Sequence, residues 1–486
     1  MSLRTEGRSS VFWASIDKFG AQFFQFAFSV VLARILTPEE FGLVGILMAV
    51  IAILRPFMEG GLDAALIQRK RVSVRDLSSV FWANLLFSLL LTGLLWLLAP
   101  WLSSWYGDAR LTDPLRVLSL MLVGEALALI QYVCLYRQLA FKKLALVTGS
   151  SVLISGALGV YLALLGFSYW SLVGRQLAYS AVSTGLLWVL IRADIRLQLS
   201  PARVLHHLKF GYTLMLSGLL NKGVVQLYPL LIGKLYSPAQ LAYYSRAHAT
   251  KDIPIVSIGA IFSRVFFPIF SKMQDDAGRL QGALLEVGHI LHFSVVWILL
   301  LLALAAEEIV LLLFTEKWIA VAPYLQLVVL VGLFLPGYSL NGYVLVARGQ
   351  PQRMLQQELI NKGLAVSLLA ATVWLGIGAI ILGHALVSLF SFVLSAWYVQ
   401  QSLGLSLGRQ LGLFLRYSLS GGACWGLLAY LLPPVEGLWA AFGAKLVLGS
   451  GLYLFIVTFI ARAPALPLLW THLAQFLTKQ PAGSRP

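Results

Sequence analysis

Apolar residues run along this chain in blocks of about twenty, parted by short segments where basic and turn-forming residues gather. A helix needs about 20 such residues to cross the hydrocarbon of a bilayer. Against that length the sequence predicts fourteen helical segments, at 12–34, 41–58, 77–99, 115–136, 145–166, 168–191, 209–233, 240–264, 284–304, 320–346, 357–376, 378–399, 409–432 and 438–461. Only a turn around Gly376 and Gly378 separates the eleventh from the twelfth, so the pattern supports twelve to fourteen spans. The first block holds Asp17 and Lys18 with no small-residue cleavage site after it, which predicts a retained helix instead of a signal peptide.

Composition narrows the class. Of 486 residues, 59% are hydrophobic and 12% charged, with a mean hydropathy of +0.83. A soluble domain carries roughly 25% charged residues, so a soluble enzyme, a disordered chain and a disulfide scaffold are all excluded. Cys134 and Cys424 lie far apart within apolar runs, which makes no case for a disulfide or a zinc site. There is no phosphate-binding Gly-rich loop, nucleotide fingerprint or metal-ligand helix, hence no expected cofactor, no nucleic-acid partner and no engine for ATP. The expectation is an all-α polytopic membrane protein that transports and is not an enzyme.

The net charge of +16 is sorted by position. With the N-terminus inside, the cytoplasmic segments hold Arg4 and Arg8; Arg69, Lys70, Arg71 and Arg75; Arg137, Lys142 and Lys143; and Arg192, Arg196, Arg203 and Lys209. Arg264, Lys272 and Arg279 follow, then Arg348 and Arg353, Arg409, and finally Arg462, Lys479 and Arg485. The opposite loops offer little more than Arg34, Arg110, Lys234 and Lys317, accompanied by acids. That alternation predicts that both termini lie on the cytoplasmic side. No loop is long enough for a soluble domain. The segment Val265–Leu280 mixes Phe266, Phe267, Ile269 and Phe270 with Lys272 and Arg279, as a membrane-surface connection does.

One internal match organises the spans. Leu32-Ala33-Arg34-Ile35-Leu36-Thr37-Pro38-Glu39-Glu40-Phe41 aligns with Ile232-Gly233-Lys234-Leu235-Tyr236-Ser237-Pro238-Ala239-Gln240-Leu241 at a displacement of 200 residues. In each, a basic residue closes one helix and a Ser/Thr-Pro pair opens the next, Pro sitting where its missing N–H costs nothing. The predicted organisation is a pseudo-symmetric pair of six-helix bundles, 1–200 and 201–402, two additional helices at 403–465 and a tail at 466–486. Two bundles facing across a midplane cavity is the layout of an alternating-access transporter.

Ionisable groups near the centre of a span cost at least about 2.5–3.5 kcal/mol each, so they face a partner or a cavity. Among the ionisable residues within spans, six cations stand out, Lys18, Arg55, Arg175, Lys222, Arg246 and Lys251, against the acids Asp17, Glu125 and Asp252. This balance suits an anion such as a phosphate, for which Lys and Arg supply charge-assisted donors. The structural alternatives are snorkelling of Lys18 and Arg55 to the interface, and internal pairing of Lys222, Arg246 and Lys251, for example with Asp252. His248 and Asp252, four apart on one face, and the isolated Glu125 are candidates for coupling to an ion, with structural hydrogen bonds as the alternative.

These residues carry a resemblance. Met1-Ser2-Leu3-Arg4, Val31-Leu32-Ala33-Arg34-Ile35-Leu36, Phe41-Gly42-Leu43 and Ile67-Gln68-Arg69-Lys70 occur in the first third. Arg264-Val265-Phe266-Phe267-Pro268-Ile269-Phe270-Ser271-Lys272-Met273-Gln274-Asp275-Asp276 and Glu316-Lys317-Trp318 follow. Together they resemble the bacterial polysaccharide flippases (Wzx-type, colanic-acid-exporter-like) of the multidrug/oligosaccharidyl-lipid/polysaccharide exporter (MOP) superfamily. One departure is Glu59-Gly60-Gly61, where relatives tend to show Asp-Phe-Gly. The resemblance implies transfer of an undecaprenyl-diphosphate-linked oligosaccharide across the cytoplasmic membrane, with H+ or Na+ as coupling ion, membrane lipids around it and a polysaccharide polymerase as partner. On that reading Lys222, Arg246 and Lys251, with Lys18, Arg55 and Arg175, contact the diphosphate. The alternatives are a peptidoglycan-precursor flippase, a cation-coupled multidrug antiporter and, from another class, a membrane-embedded glycan polymerase or ligase. Short outer loops weigh against the last.

Overall fold

A computed structural model describes residues 3–433 and 435–468 of the protein. The expected tail, with Lys479 and Arg485, lies outside the described residues. The described residues form helices and no strands. In chain order these are α1 (Leu3–Ile35), α2 (Pro38–Glu59), α3 (Leu62–Gln68), α4 (Val74–Tyr106), α5 (Thr112–Arg137), α6 (Phe141–Leu164), α7 (Trp170–Leu190) and α8 (Pro201–Leu235). They continue as α9 (Pro238–Lys272), α10 (Ala277–Leu304), α11 (Ala306–Phe314), α12 (Val321–Ala347), α13 (Pro351–Thr372), α14 (Ile377–Leu403), α15 (Leu407–Leu431) and α16 (Leu438–Phe455). All but the short α3 and α11 correspond to the predicted segments, one to one. Nine of the described helices are long and apolar enough to cross a membrane; α1, α7, α9, α13 and α15 are more polar. After residue 264 the chain stays helical, as α9 runs on to Lys272.

Helix surfaces show what solvent this fold is built for. On α4, Leu86, Leu90, Leu97 and Trp101 are exposed while Asn84, Ser88, Thr92 and Ser103 are buried. In water that arrangement would be inverted. In lipid the exposed leucines cost nothing, and small or polar side chains let helices approach closely and hydrogen-bond. Thr92 Oγ1 donates to the Ser119 carbonyl of α5 at 3.1 Å, an instance of that rule.

The chain divides into two compact units, Met1–Ala242 and Tyr243–Pro486. In the first, Leu32, Leu43, Leu47, Leu115, Leu118 and Leu122 centre one apolar core. A second, around Leu66, Phe81, Ile130 and Val133, ties α3 to α4 and α5. In the second unit, Leu280, Leu291, Leu299, Val344 and Val399 join α10, α12 and α14, and Phe293, Tyr417, Cys424 and Tyr453 join α10, α15 and α16.

The repeated sequence words mark repeated structure. One pair of helices ends at Ile35 and restarts at Pro38; the other ends at Leu235 and restarts at Pro238. Thr37 Oγ1 accepts from the Glu40 N–H at 3.4 Å, and Ser237 Oγ from the Gln240 N–H at 3.1 Å. The two turns lie against each other within the first unit. A side chain at Gly42 would overlap the Pro238 carbonyl, and one at Gly233 would come 2.7 Å from Ile46. Farther along, Gly218 lies on Pro56, and Gly211 meets the Gly60–Gly61 backbone so closely that neither Gly61 nor Gly211 has room for a methyl. Gly61 also has φ of 65°, open to glycine at little cost. Helix α8 is therefore held against α2 along its length.

Polar clamps close both ends of the first unit. At one, Arg110 donates to Glu39 at 2.6 Å and Asp108 at 2.8 Å, Ser168 donates to Glu40, and Lys234 donates to the Trp105 carbonyl. The Arg110 guanidinium holds the Asp108 carboxyl below the usual carboxylate range. At the other, Asp76 lies 2.8 Å from Arg203, 3.5 Å from His207 and 3.7 Å from Arg69. Beside it the non-helical segment 191–200 is fastened to α4: the Arg196 N–H donates to Ser78 at 2.9 Å, Trp82 to the Arg196 carbonyl at 2.9 Å, and the Ser200 N–H to Ser79 at 3.1 Å.

Candidate functional site

Between those clamps the first unit holds a cavity of about 380 Å³, formed by α2, α3, α5, α7 and α8. Each contributes polar groups. Arg55 and Glu59 come from the last turns of α2, beside the in-helix Pro56. Two left-handed glycines, Gly60 and Gly61, then turn the chain into α3 and bring Asp63 to the same lining. Helix α5 supplies Glu125, Tyr132 and Tyr136; α7 supplies Tyr179, Ser180, Ser183 and Thr184; α8 supplies Lys222.

Pairing within the cavity is specific. Arg55 Nη2 lies 2.5 Å from Glu125 Oε1, with each side chain a little under a third exposed. Arg55 Nε is buried and reaches no acceptor among the described residues. Lys222 Nζ lies 3.9 Å from Glu59 Oε2. Tyr132 and Ser183 share a hydrogen bond of 2.8 Å, and Thr184 donates to the Gly124 carbonyl at 2.9 Å, seating α7 on α5 next to Glu125. Glu125 is thus not isolated, as the sequence suggested; its partner comes from a helix 70 residues away. Arg55 points to that carboxylate instead of standing alone.

The other cations lie elsewhere. Lys18 is exposed on α1, and Arg175 is half-buried with its aliphatic stem against Gly159 of α6; neither lines the cavity. In the second unit, Lys251 is 2% exposed with its Nζ 2.7 Å from Asp252 Oδ1. The Arg246 guanidinium sits over the rings of Phe314 and Trp318, 5.8 and 5.6 Å from their centroids. His248 packs on Tyr244 at 4.4 Å and stacks with His384 at 5.7 Å, while the close partner of Asp252 is Lys251 and not His248. On α13, Glu358 accepts from Tyr338 at 3.0 Å and pairs with Lys362 at 3.1 Å.

Sequence reasoning missed Asp63, Tyr132, Tyr179 and His384. His384 and Lys362 carried a readable signal, an ionisable residue inside an apolar block. Asp63 and the tyrosines carried none, since only the turn at Gly60–Gly61 and the facing of α5 and α7 collect them. No group of three or more His, Cys, Asp or Glu able to hold a metal occurs among the described residues.

This polar cavity in a lipid-facing helical unit lies wholly within residues 31–323, and those residues match the family described as polysaccharide biosynthesis protein. The chain belongs to that family. The family member is 29% identical over 321 residues to the succinoglycan biosynthesis transport protein ExoT of Rhizobium meliloti (strain 1021), spanning 66% of this chain and 65% of that protein. It is 28% identical to the lipopolysaccharide biosynthesis protein WzxC of Escherichia coli (strain K12), with 72% of each chain covered. It is 26% identical to the teichuronic acid biosynthesis protein TuaB of Bacillus subtilis (strain 168), over 84% of this chain and 85% of that one. Among solved structures its fold is similar to lipid II flippase MurJ in an inward closed conformation, with a TM-score of 0.75 at 15% identity over 92% of this chain and 98% of that one. An inward-facing MATE-family transporter of the MOP superfamily matches with a TM-score of 0.58 at 15% identity, covering 82% of this chain and 99% of that one. The family member therefore shares the fold of these two proteins and is a multi-pass membrane protein.

Proposed function

We propose that this protein is a flippase that carries an undecaprenyl-diphosphate-linked oligosaccharide repeat unit from the cytoplasmic to the outer leaflet of the cytoplasmic membrane, by alternating access. Both termini are then cytoplasmic, and a polysaccharide polymerase receives the product. The observation that carries the reading is the cavity of the first unit, where Arg55 and Lys222 share a lining with tyrosine, serine and threonine hydroxyls. Arginine offers a forked donor set for phosphate oxygens and lysine a point charge. Hydroxyls, aromatic rings and carboxylates are the groups that meet a polyhydroxylated sugar. Membership of a polysaccharide biosynthesis family, and relatives named for succinoglycan transport and lipopolysaccharide biosynthesis, support the same substrate class.

Of the six candidate cations, Arg55 and Lys222 are the two we assign to the diphosphate. Lys251 and Arg246 are engaged by Asp252 and by two aromatic rings; the candidate ion-coupling groups are His248, stacked on His384, with Asp252 in the second unit, and Glu125 in the cavity of the first. The test is complementation of a deletion strain with the Arg55→Ala/Lys222→Ala double variant. Polymer export should fall at least tenfold while the protein remains in the membrane at normal level. Export at the wild-type rate would overturn the assignment. A second reading, export of an organic cation, is favoured by the carboxylates Glu59, Asp63 and Glu125 in the same lining; it requires ethidium efflux from cells expressing the protein, and loss of that efflux in Glu125→Gln.

A further inference from the structure

In the cavity of the first unit Arg55 and Lys222 stand against Glu59, Asp63 and Glu125. Arg55 Nη2 lies 2.5 Å from Glu125 and Lys222 Nζ 3.9 Å from Glu59. Asp63 forms no ion pair among the described residues and lies close enough to Glu59 for their charges to repel. A diphosphate seated on Arg55 and Lys222 draws both cations toward itself, and among the described residues no third cation lines the cavity. Whatever is joined to that diphosphate therefore meets three carboxylates and no base. Size limits what it can be. At about 380 Å³ the cavity is near the lower end of ligand sites, roughly 300–1,000 Å³, with room for a diphosphate and one sugar ring but not for a whole repeat unit. An ionised carboxylate only accepts hydrogen bonds, and the hydroxyls of a pyranose supply donors to it. The rings of Tyr132, Tyr136 and Tyr179 offer an apolar body with a polar tip to the faces of the same sugar. A carboxylate on that sugar would instead meet like charge in surroundings that screen poorly.

We infer that the sugar joined directly to the diphosphate is an uncharged hexose with free hydroxyls, and that Glu59, Asp63 and Glu125 select it. They accept its hydroxyl hydrogens and repel a uronic acid in the same place, so attraction and rejection reside in one set of side chains. Partners are exchanged on binding: the diphosphate takes the cations, and the sugar takes the carboxylates those cations leave. Sugars farther along the repeat unit lie outside the cavity and escape this selection. The inference rests on the diphosphate reading of the preceding section and adds to it the chemical class of the first sugar.

The experiment is calorimetric titration of three probes into the full-length protein in nanodiscs at neutral pH: farnesyl diphosphate, and the same carrier bearing glucose or glucuronic acid. Wild type should bind the glucosyl probe at least about tenfold more tightly than the glucuronyl probe. In Asp63→Asn that ratio should shrink by at least about threefold, because the amide keeps an acceptor and loses the charge. Glu59→Gln is the second variant, with the same expected direction. A glucuronyl probe that binds wild type as tightly as the glucosyl one, or a ratio unchanged in both variants, overturns the inference and leaves the diphosphate reading standing. So does binding of farnesyl diphosphate without binding of either glycosyl probe, since no sugar then enters the cavity. Failure of wild type to bind any of the three overturns the diphosphate reading of the cavity and the inference with it.

Discussion

Arg55 and Glu125 meet at 2.5 Å, each side chain a little under a third exposed. An exposed ion pair contributes roughly 0–1 kcal/mol, whereas breaking a fully buried one costs about 3–5 kcal/mol. A partly exposed pair falls between, so Arg55→Ala should cost about 1–2 kcal/mol, chiefly by leaving Glu125 without its cation. The double variant Arg55→Ala/Glu125→Gln should recover most of that loss, because both charges leave together. Thermal unfolding of the four proteins in detergent measures the cycle, and additive losses would show that the two side chains do not depend on one another. Single residues were also where sequence reading reached its limit. The type of each intramembrane residue was legible, but its partner was not: Glu125 stands alone within its apolar block and is paired only because α2 and α5 pack side by side. Charges counted along the chain gave an excess of cations, while the three-dimensional lining of one cavity has an excess of acids.

At the scale of helices, sequence and structure agree more closely. Apolar blocks of spanning length gave the long helices because a helix satisfies every backbone group within itself, which lipid demands. The Thr37-Pro38 and Ser237-Pro238 starts were legible because caps and prolines act through local geometry. The packing of α8 on α2 was not, since it depends on glycines whose purpose shows only when two backbones meet. Gly211→Ala should destabilise the protein by about 1–3 kcal/mol, because the added methyl overlaps the Gly60 carbonyl and backbone cannot yield as a side chain does. Gly223→Ala, on the same helix with open space around it, should be neutral or stabilising by up to about 1 kcal/mol from helix propensity alone. Thermal midpoints of the two variants decide this, and equal shifts would contradict close backbone packing of α2 and α8.

For the whole molecule, the +16 charge divides by location. Most of it lies in connecting segments and in the end turns of helices, the positions from which orientation is read, and a minority lies deeper, where Arg55, Lys222 and Lys251 meet acids and Arg246 meets two rings. Orientation is open to direct test through Lys70 and Asp113, both exposed in segments expected on opposite sides of the membrane. In a background with Cys134 and Cys424 replaced by Ala, Asp113→Cys should react with a membrane-impermeant maleimide in intact cells, and Lys70→Cys only after permeabilisation. The reverse result would invert the topology.

The central claim is that this chain moves a lipid-linked glycan across a bilayer, and reconstitution tests it most directly. Proteoliposomes containing the purified protein and a polyprenyl-diphosphate-linked oligosaccharide should expose the inner-leaflet glycan to an external glycosidase. This should occur at a rate well above protein-free vesicles and fall at least tenfold with Arg55→Ala/Lys222→Ala. Glycan that stays protected in the inner leaflet, at the protein-free rate under pH, sodium and voltage gradients alike, would contradict the account.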